Sequence, residues 1–206
     1  MSEPTRFYLI TPPLRGAEDF LPRLEAALDA ADVACVLLRT ATADEGEAKA
    51  LVRALGPAVQ RRGAALLVEG DTRFAGRTDA DGLHVSGVGP ALTEALDALR
   101  PKKIVGVGGL HDRDTAMAAG ESGADYLMFG FPGAGQDGEA VAERVAWWAE
   151  IFNVPCVGYC ADPAQAGVIA RAGAEFVALC EGLWDEPAAA MRAAARAIGA
   201  LEEPVP

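Results

Sequence analysis

Few side chains in this 206-residue chain could move protons or carry a covalent intermediate. Histidine occurs only at His84 and His111, and lysine only at Lys49, Lys102 and Lys103. The two histidines are the candidate acid-base groups, since imidazole titrates nearest neutral pH; a hydrogen-bonded core histidine is the competing reading of His84. Arg39 closes an apolar run, and a guanidinium there needs an anionic partner. Glu69, Asp71 or a ligand's phosphate or carboxylate could each supply it. Gly106-Val107-Gly108-Gly109 is rich enough in glycine to turn tightly or to cradle a phosphate, and the turn is the simpler reading. No lysine follows an apolar run, which argues against Schiff-base chemistry of the aldolase kind.

These residues gain meaning from the elements that must hold them. Short apolar runs recur at 7–10, 34–38, 64–68, 82–85, 104–107, 126–129, 156–159 and 176–179. Most are continuously apolar, as strands buried on both faces are. Alanine-rich amphipathic stretches separate them, at 18–30, 43–61, 90–99, 114–122, 139–152, 163–172 and 187–201, with a very short helix or turn at 72–77. Strict alternation over this length predicts a single α/β domain spanning 1–206, a (β/α)8 TIM barrel rather than an open doubly wound sheet. The tail at 202–206 is expected to fray. Three segments echo one another: Ala80-Asp81-Gly82-Leu83, Gly123-Ala124-Asp125-Tyr126 and Gly173-Ala174-Glu175-Phe176. Each is small, then acidic, then strand-like, and Gly123 and Gly173 suit the left-handed position that ends a helix.

In such a barrel the site is built where the strands end. The residues to weigh are therefore Thr11, Arg39, Glu69 with Asp71, His84 with Ser86, Gly108 with His111, Gly130-Phe131, Tyr159-Cys160 and Glu181. The formal charge of −12 repels polyanions, so nucleic-acid binding is not expected, and a small-molecule substrate or phosphate ligand is. No membrane association is expected either, because no apolar stretch reaches spanning length and the start lacks a signal-peptide pattern. A cytoplasmic location follows as an expectation. Cys35, Cys156, Cys160 and Cys180 lack paired spacing and read as core thiols, with Cys160 and Cys180 near strand ends. Of Trp147-Trp148, one ring should pack on the barrel, leaving the other for a homodimer contact.

Phe7-Tyr8-Leu9-Ile10-Thr11, Val36-Leu37-Leu38-Arg39, Asp81-Gly82-Leu83-His84-Val85, Gly106-Val107 and 123–130 together resemble the thiamine-phosphate synthase/TenI family across essentially the whole chain. The resemblance implies joining of a pyrimidine diphosphate to a thiazole phosphate, with Mg2+ as cofactor. It points to Glu69 and Asp71 as metal ligands, His84 and His111 as catalytic residues, and Arg39, Gly108, Gly130, Gly158 and Glu181 as substrate-binding residues. The chain departs from the pattern in its loops. Glu69-Gly70 stands where the family has Asn-Asp, Ser86-Gly87-Val88-Gly89 replaces a Gly-Gln-Glu-Asp run, and the family's mouth lysines are missing. Phe131 stands where TenI-type proteins carry a histidine. A catalytically inactive or TenI-like barrel that binds a small ligand or a protein partner is the alternative reading.

Overall fold

A computed structural model describes residues 4–135 and 137–199. The proposed tail at 202–206 lies outside the described residues. Eight parallel strands close into a barrel in sequence order: β1 (Arg6–Ile10), β2 (Val33–Leu38), β3 (Ala65–Glu69), β4 (Gly82–Ser86), β5 (Ile104–Gly108), β6 (Tyr126–Phe129), β7 (Cys156–Cys160) and β8 (Phe176–Leu179). β8 pairs back onto β1, from Arg6 opposite Phe176 to Leu9 opposite Leu179, which removes both sheet edges. The eight expected strands therefore all form, each within two residues of its expected bounds.

The helices are α1 (Leu21–Leu28), α2 (Glu45–Gln60), α3 (Thr72–Gly76), α4 (Pro90–Leu99), α5 (Arg113–Glu121), α6 (Gly138–Ile151), α7 (Ala166–Arg171) and α8 (Pro187–Gly199). A 3-10 turn at Pro163–Gln165 precedes α7. Asp44, Asp71, Asp112 and Asp137 each stand at a helix start and accept a backbone N–H there, so their side chains fix where α2, α3, α5 and α6 begin. Gly123 (φ 90°) and Gly173 (φ 100°) take the left-handed conformation after α5 and α7. No helix is long and apolar enough to cross a membrane among the described residues.

The repeated acid before the strand has a definite structural task at the amino end of the barrel. Asp81 accepts the Leu66 N–H at 2.7 Å, Asp125 the Val105 N–H at 2.8 Å and Glu175 the Cys156 N–H at 2.8 Å. Each acid, standing just before an even-numbered strand, thus satisfies a backbone donor at the start of the preceding odd strand. These donors would otherwise be unpaired at the barrel's rim. Internal repetition is here a solution to strand-end hydrogen bonding.

All four cysteines are free and buried. Trp148 is fully buried against Phe129 and Phe152, whereas Trp147 is half-buried with the Arg113 guanidinium over its ring.

Candidate active site

The carboxyl ends of β2 and β3 meet first. Arg39 follows β2, and its backbone is tied on both sides: its N–H donates to the Thr11 hydroxyl at 2.9 Å and its carbonyl accepts from the Leu14 N–H. Thr11 is itself fully buried, so the loop after β1 is anchored to the loop after β2. From this fixed backbone the guanidinium reaches the Glu69 carboxylate at 3.2 Å and lies 5.0 Å over the Phe131 ring. The ion pair named from sequence is therefore made with Glu69. Arg39 is only 21% exposed, so the pair and the aromatic face hold a cation that has lost part of its water.

Below Phe131 lies His84, 3% exposed, its ring parallel to Phe131 at 7° with centroids 5.9 Å apart. Arg39, Phe131 and His84 thus form a column descending into the barrel. Burial pushes the imidazole down to about 4, so His84 is neutral at physiological pH. Its Nδ1 is 2.8 Å from the Tyr126 hydroxyl. Its Nε2 faces Gly108, where a Cβ would stand 2.7 Å away. Gly106 has the same logic, since a Cβ there would enter the Tyr126 ring. The Gly106-Val107-Gly108-Gly109 run therefore clears space for two rings and then turns, with Gly109 at φ 68°, as the turn reading expected.

The acidic groups around the mouth are each engaged. Besides Glu69 with Arg39, Asp71 accepts the Phe74 N–H at 2.8 Å as the cap of α3. Asp162 accepts the Ala164 N–H at 2.9 Å, and Glu181 accepts the Tyr159 hydroxyl at 3.1 Å. Desolvation, followed by the neighbouring Glu181, raises the Tyr159 hydroxyl above its ordinary range. Cys160 donates its thiol to the Asp162 carbonyl, and burial lifts Cys160 and Cys180 to about 11, so both remain thiols.

A cavity of about 250 Å3 opens beside the Arg39 column, lined by Thr40, Thr42, Asp44, Glu69, Asp71 and neighbours. Glu69 and Asp71 each meet their protein partner through one carboxylate oxygen, leaving the other for a cation. No cluster of three or more metal-ligating side chains occurs among the described residues. Two carboxylates fit Mg2+ that shares its remaining sites with water and phosphate oxygens, and do not form a protein cage.

The remaining candidates separate. Gly130 (φ 78°) ends β6 and turns the chain toward Phe131. Gly158 faces the helical layer, where a Cβ would collide with Ile169 and crowd Val145. His111 is exposed in a groove with Asp112, Arg113, Glu143, Arg144 and Trp147, apart from the Arg39 column. No lysine stands in the loops that follow the strands: Lys49 pairs with Glu45 on α2, and Lys102 and Lys103 precede β5, where Lys103 bonds the Thr78 and Ala80 carbonyls of the turn leading into β4. Phe131 and Tyr159 were weighed from sequence as strand-end residues but given no role, and Tyr126 was not chosen at all. A tyrosine opening a strand opposite Gly106 was the available signal.

A family profile described as thiamine monophosphate synthase matches residues 7–183. A thiamine-phosphate synthase of Rhodospirillum centenum is 40% identical, covering 89% of this chain and 91% of that relative. One from Hyphomonas neptunium is 35% identical, covering 92% and 91%. Among solved structures, a thiamine phosphate pyrophosphorylase from Pyrococcus furiosus superposes with a TM-score of 0.79 at 19% identity, covering 96% of this chain and 97% of that one. A geranylgeranylglyceryl phosphate synthase from Thermoplasma acidophilum follows at TM-score 0.68 and 16% identity, covering 95% and 93%. At such identities the two structures speak to the fold alone.

Proposed function

The chain belongs to the thiamine monophosphate synthase family, and from that premise we propose that it joins a pyrimidine diphosphate to a thiazole phosphate, releasing diphosphate. The carbon–oxygen bond to diphosphate breaks, its electron pair leaves with the diphosphate, and the thiazole nitrogen supplies the pair for the new carbon–nitrogen bond. The observation that carries this reading is the 40% identity to a thiamine-phosphate synthase over nearly the full length of both chains. Relatedness of that extent does not favour the alternative of a barrel that binds without turnover.

Charge is the main demand of such a reaction, because the leaving group carries several negative charges. Arg39 is the strand-end cation, paired with Glu69 on the wall of the 250 Å3 cavity, and its planar fork matches phosphate oxygens. Phe131 offers a flat wall that shields the reacting carbon from water. His84, neutral and uncharged in this setting, presents Nε2 toward the end of β5 without placing a second charge near the electrophile. Bound Mg2+, held by Glu69 and Asp71, would neutralise the diphosphate oxygens. Gly108 and Gly130 bring backbone close to the ligand, and Glu181, fixed by Tyr159, orients a polar group of it. Gly158 contributes by letting α7 close onto β7. His111 is the candidate proton carrier at the rim.

A cytoplasmic location and a homodimer with Trp147 and the exposed Ile151 at its contact belong to the same proposal. Isothermal titration tests the substrate assignment. Heat is expected with the pyrimidine diphosphate in Mg2+ and with the thiazole phosphate, and no heat with either would overturn the reading.

A further inference from the structure

Two buried tyrosines take no part in the reaction proposed above, yet both connect to its histidine. The Tyr126 hydroxyl lies 2.8 Å from His84 Nδ1 and 2.8 Å from the Tyr8 hydroxyl, and the Cys35 thiol interacts with Tyr8. The chain runs inside the barrel from β2 through β1 and β6 to β4. Tyr8 is 2% exposed and Tyr126 6%, and burial pushes both hydroxyls well above their ordinary range, so both keep their protons. Their rings stand edge-on at 63° with centroids 5.7 Å apart, and the Tyr126 ring occupies the space that Gly106 leaves open.

The direction of the bonds follows from acidity. A phenol is a stronger acid than a neutral imidazole N–H, and an imidazole nitrogen is a better acceptor than a phenol oxygen. Tyr126 therefore donates to Nδ1, and its own oxygen accepts from Tyr8. A neutral imidazole whose Nδ1 accepts must carry its proton on Nε2. That nitrogen is the one facing Gly108, the last residue of β5, where a Cβ would stand 2.7 Å from it. No protein acceptor for Nε2 occurs among the described residues.

We propose that Tyr126, backed by Tyr8, is a positioning residue that holds His84 in the Nε2–H tautomer, so that an uncharged ring offers one hydrogen-bond donor to an acceptor on the substrate. A pyrimidine ring nitrogen or a phosphate oxygen has the required lone pair. The substrate part of this inference rests on the mouth being the synthase site; the tautomer part does not.

Nitrogen-15 NMR of the labelled protein at neutral pH reads the tautomer directly, with H111N assigning the two histidines. In the wild-type protein His84 is expected to show a protonated Nε2 and a bare, hydrogen-bonded Nδ1. Tyr126→Phe should move the Nδ1 resonance toward its free value and bring in the second tautomer. Tyr8→Phe, which leaves the Tyr126–His84 bond in place, should give a smaller shift in the same direction and serves if Y126F fails to fold. A protonated Nδ1 in the wild type, or nitrogen shifts unchanged in both variants, would overturn the assignment. In steady-state kinetics Y126F should lose about tenfold in kcat/KM, the scale of one hydrogen bond. Lack of turnover in the wild type itself would contradict the synthase reading and leave the spectrum as the test of the tautomer.

Discussion

Arg39 concentrates what the mouth can do with a phosphate, because it alone among the strand-end residues named here is a cation. Its anchored backbone, its Glu69 partner and its Phe131 wall make it pre-oriented rather than mobile. Arg39→Ala should cut kcat/KM for the pyrimidine diphosphate by about 10- to 100-fold, on the scale of a charge-assisted hydrogen bond. Arg39→Lys should recover only part of this, since it loses the planar fork; steady-state kinetics over diphosphate concentration checks both. His84 makes a second prediction at this scale. Its folded value of about 4 lies below the ordinary 6.5, so between these values the unfolded chain binds more protons than the folded one. Stability contributed by His84 is thus complete above the ordinary value and is lost as pH falls toward 4. Urea midpoints from neutral pH down to about pH 5 should fall more steeply for wild type than for His84→Gln, by roughly 2 kcal/mol in total. Arg39 and Glu69 were legible because a charge ending an apolar strand demands a partner. Tyr126 was not, nor was the stacking role of Phe131, because an aromatic side chain reads as core until its neighbours are known.

At the scale of elements, the glycine run of β5 and the acids before β4, β6 and β8 show how local sequence serves distant groups. The run was read as a turn, and it does end in one at Gly109. Its first two glycines, Gly106 and Gly108, answer to rings on other strands, a cause that no local pattern could reveal. Gly106→Ala should displace the Tyr126 ring and cost on the order of 1–3 kcal/mol of stability by overpacking, measured by urea unfolding. The repeated acids were visible as a sequence echo, but their task depends on register between neighbouring strands. Asp125→Ala would leave the Val105 N–H without its acceptor and remove the partner of Arg100, 3.2 Å away. A loss of about 1–3 kcal/mol is expected, with turnover per folded molecule unchanged, because the acid lies at the end of the barrel opposite the site.

Across the whole molecule, fold and chemistry were unequally legible. Eight apolar runs separated by amphipathic stretches permit few architectures, and strand burial imposes its pattern on every element, so the barrel could be read at nearly its true boundaries. The site depends on loops, where one residue such as Phe131 can replace a polar group without disturbing the strands beneath it. That is how the chain keeps the strands of its family while its strand-end loops carry Arg39, Glu69 and Asp71 and no lysine. The central claim is that this reduced set still supports the transfer. Chromatographic quantification of thiamine phosphate from the pyrimidine diphosphate and the thiazole phosphate, with and without Mg2+, tests it most directly. Time-dependent product that requires Mg2+ and falls sharply in Arg39→Ala is the predicted result. Absence of product from folded protein that binds both substrates would contradict it.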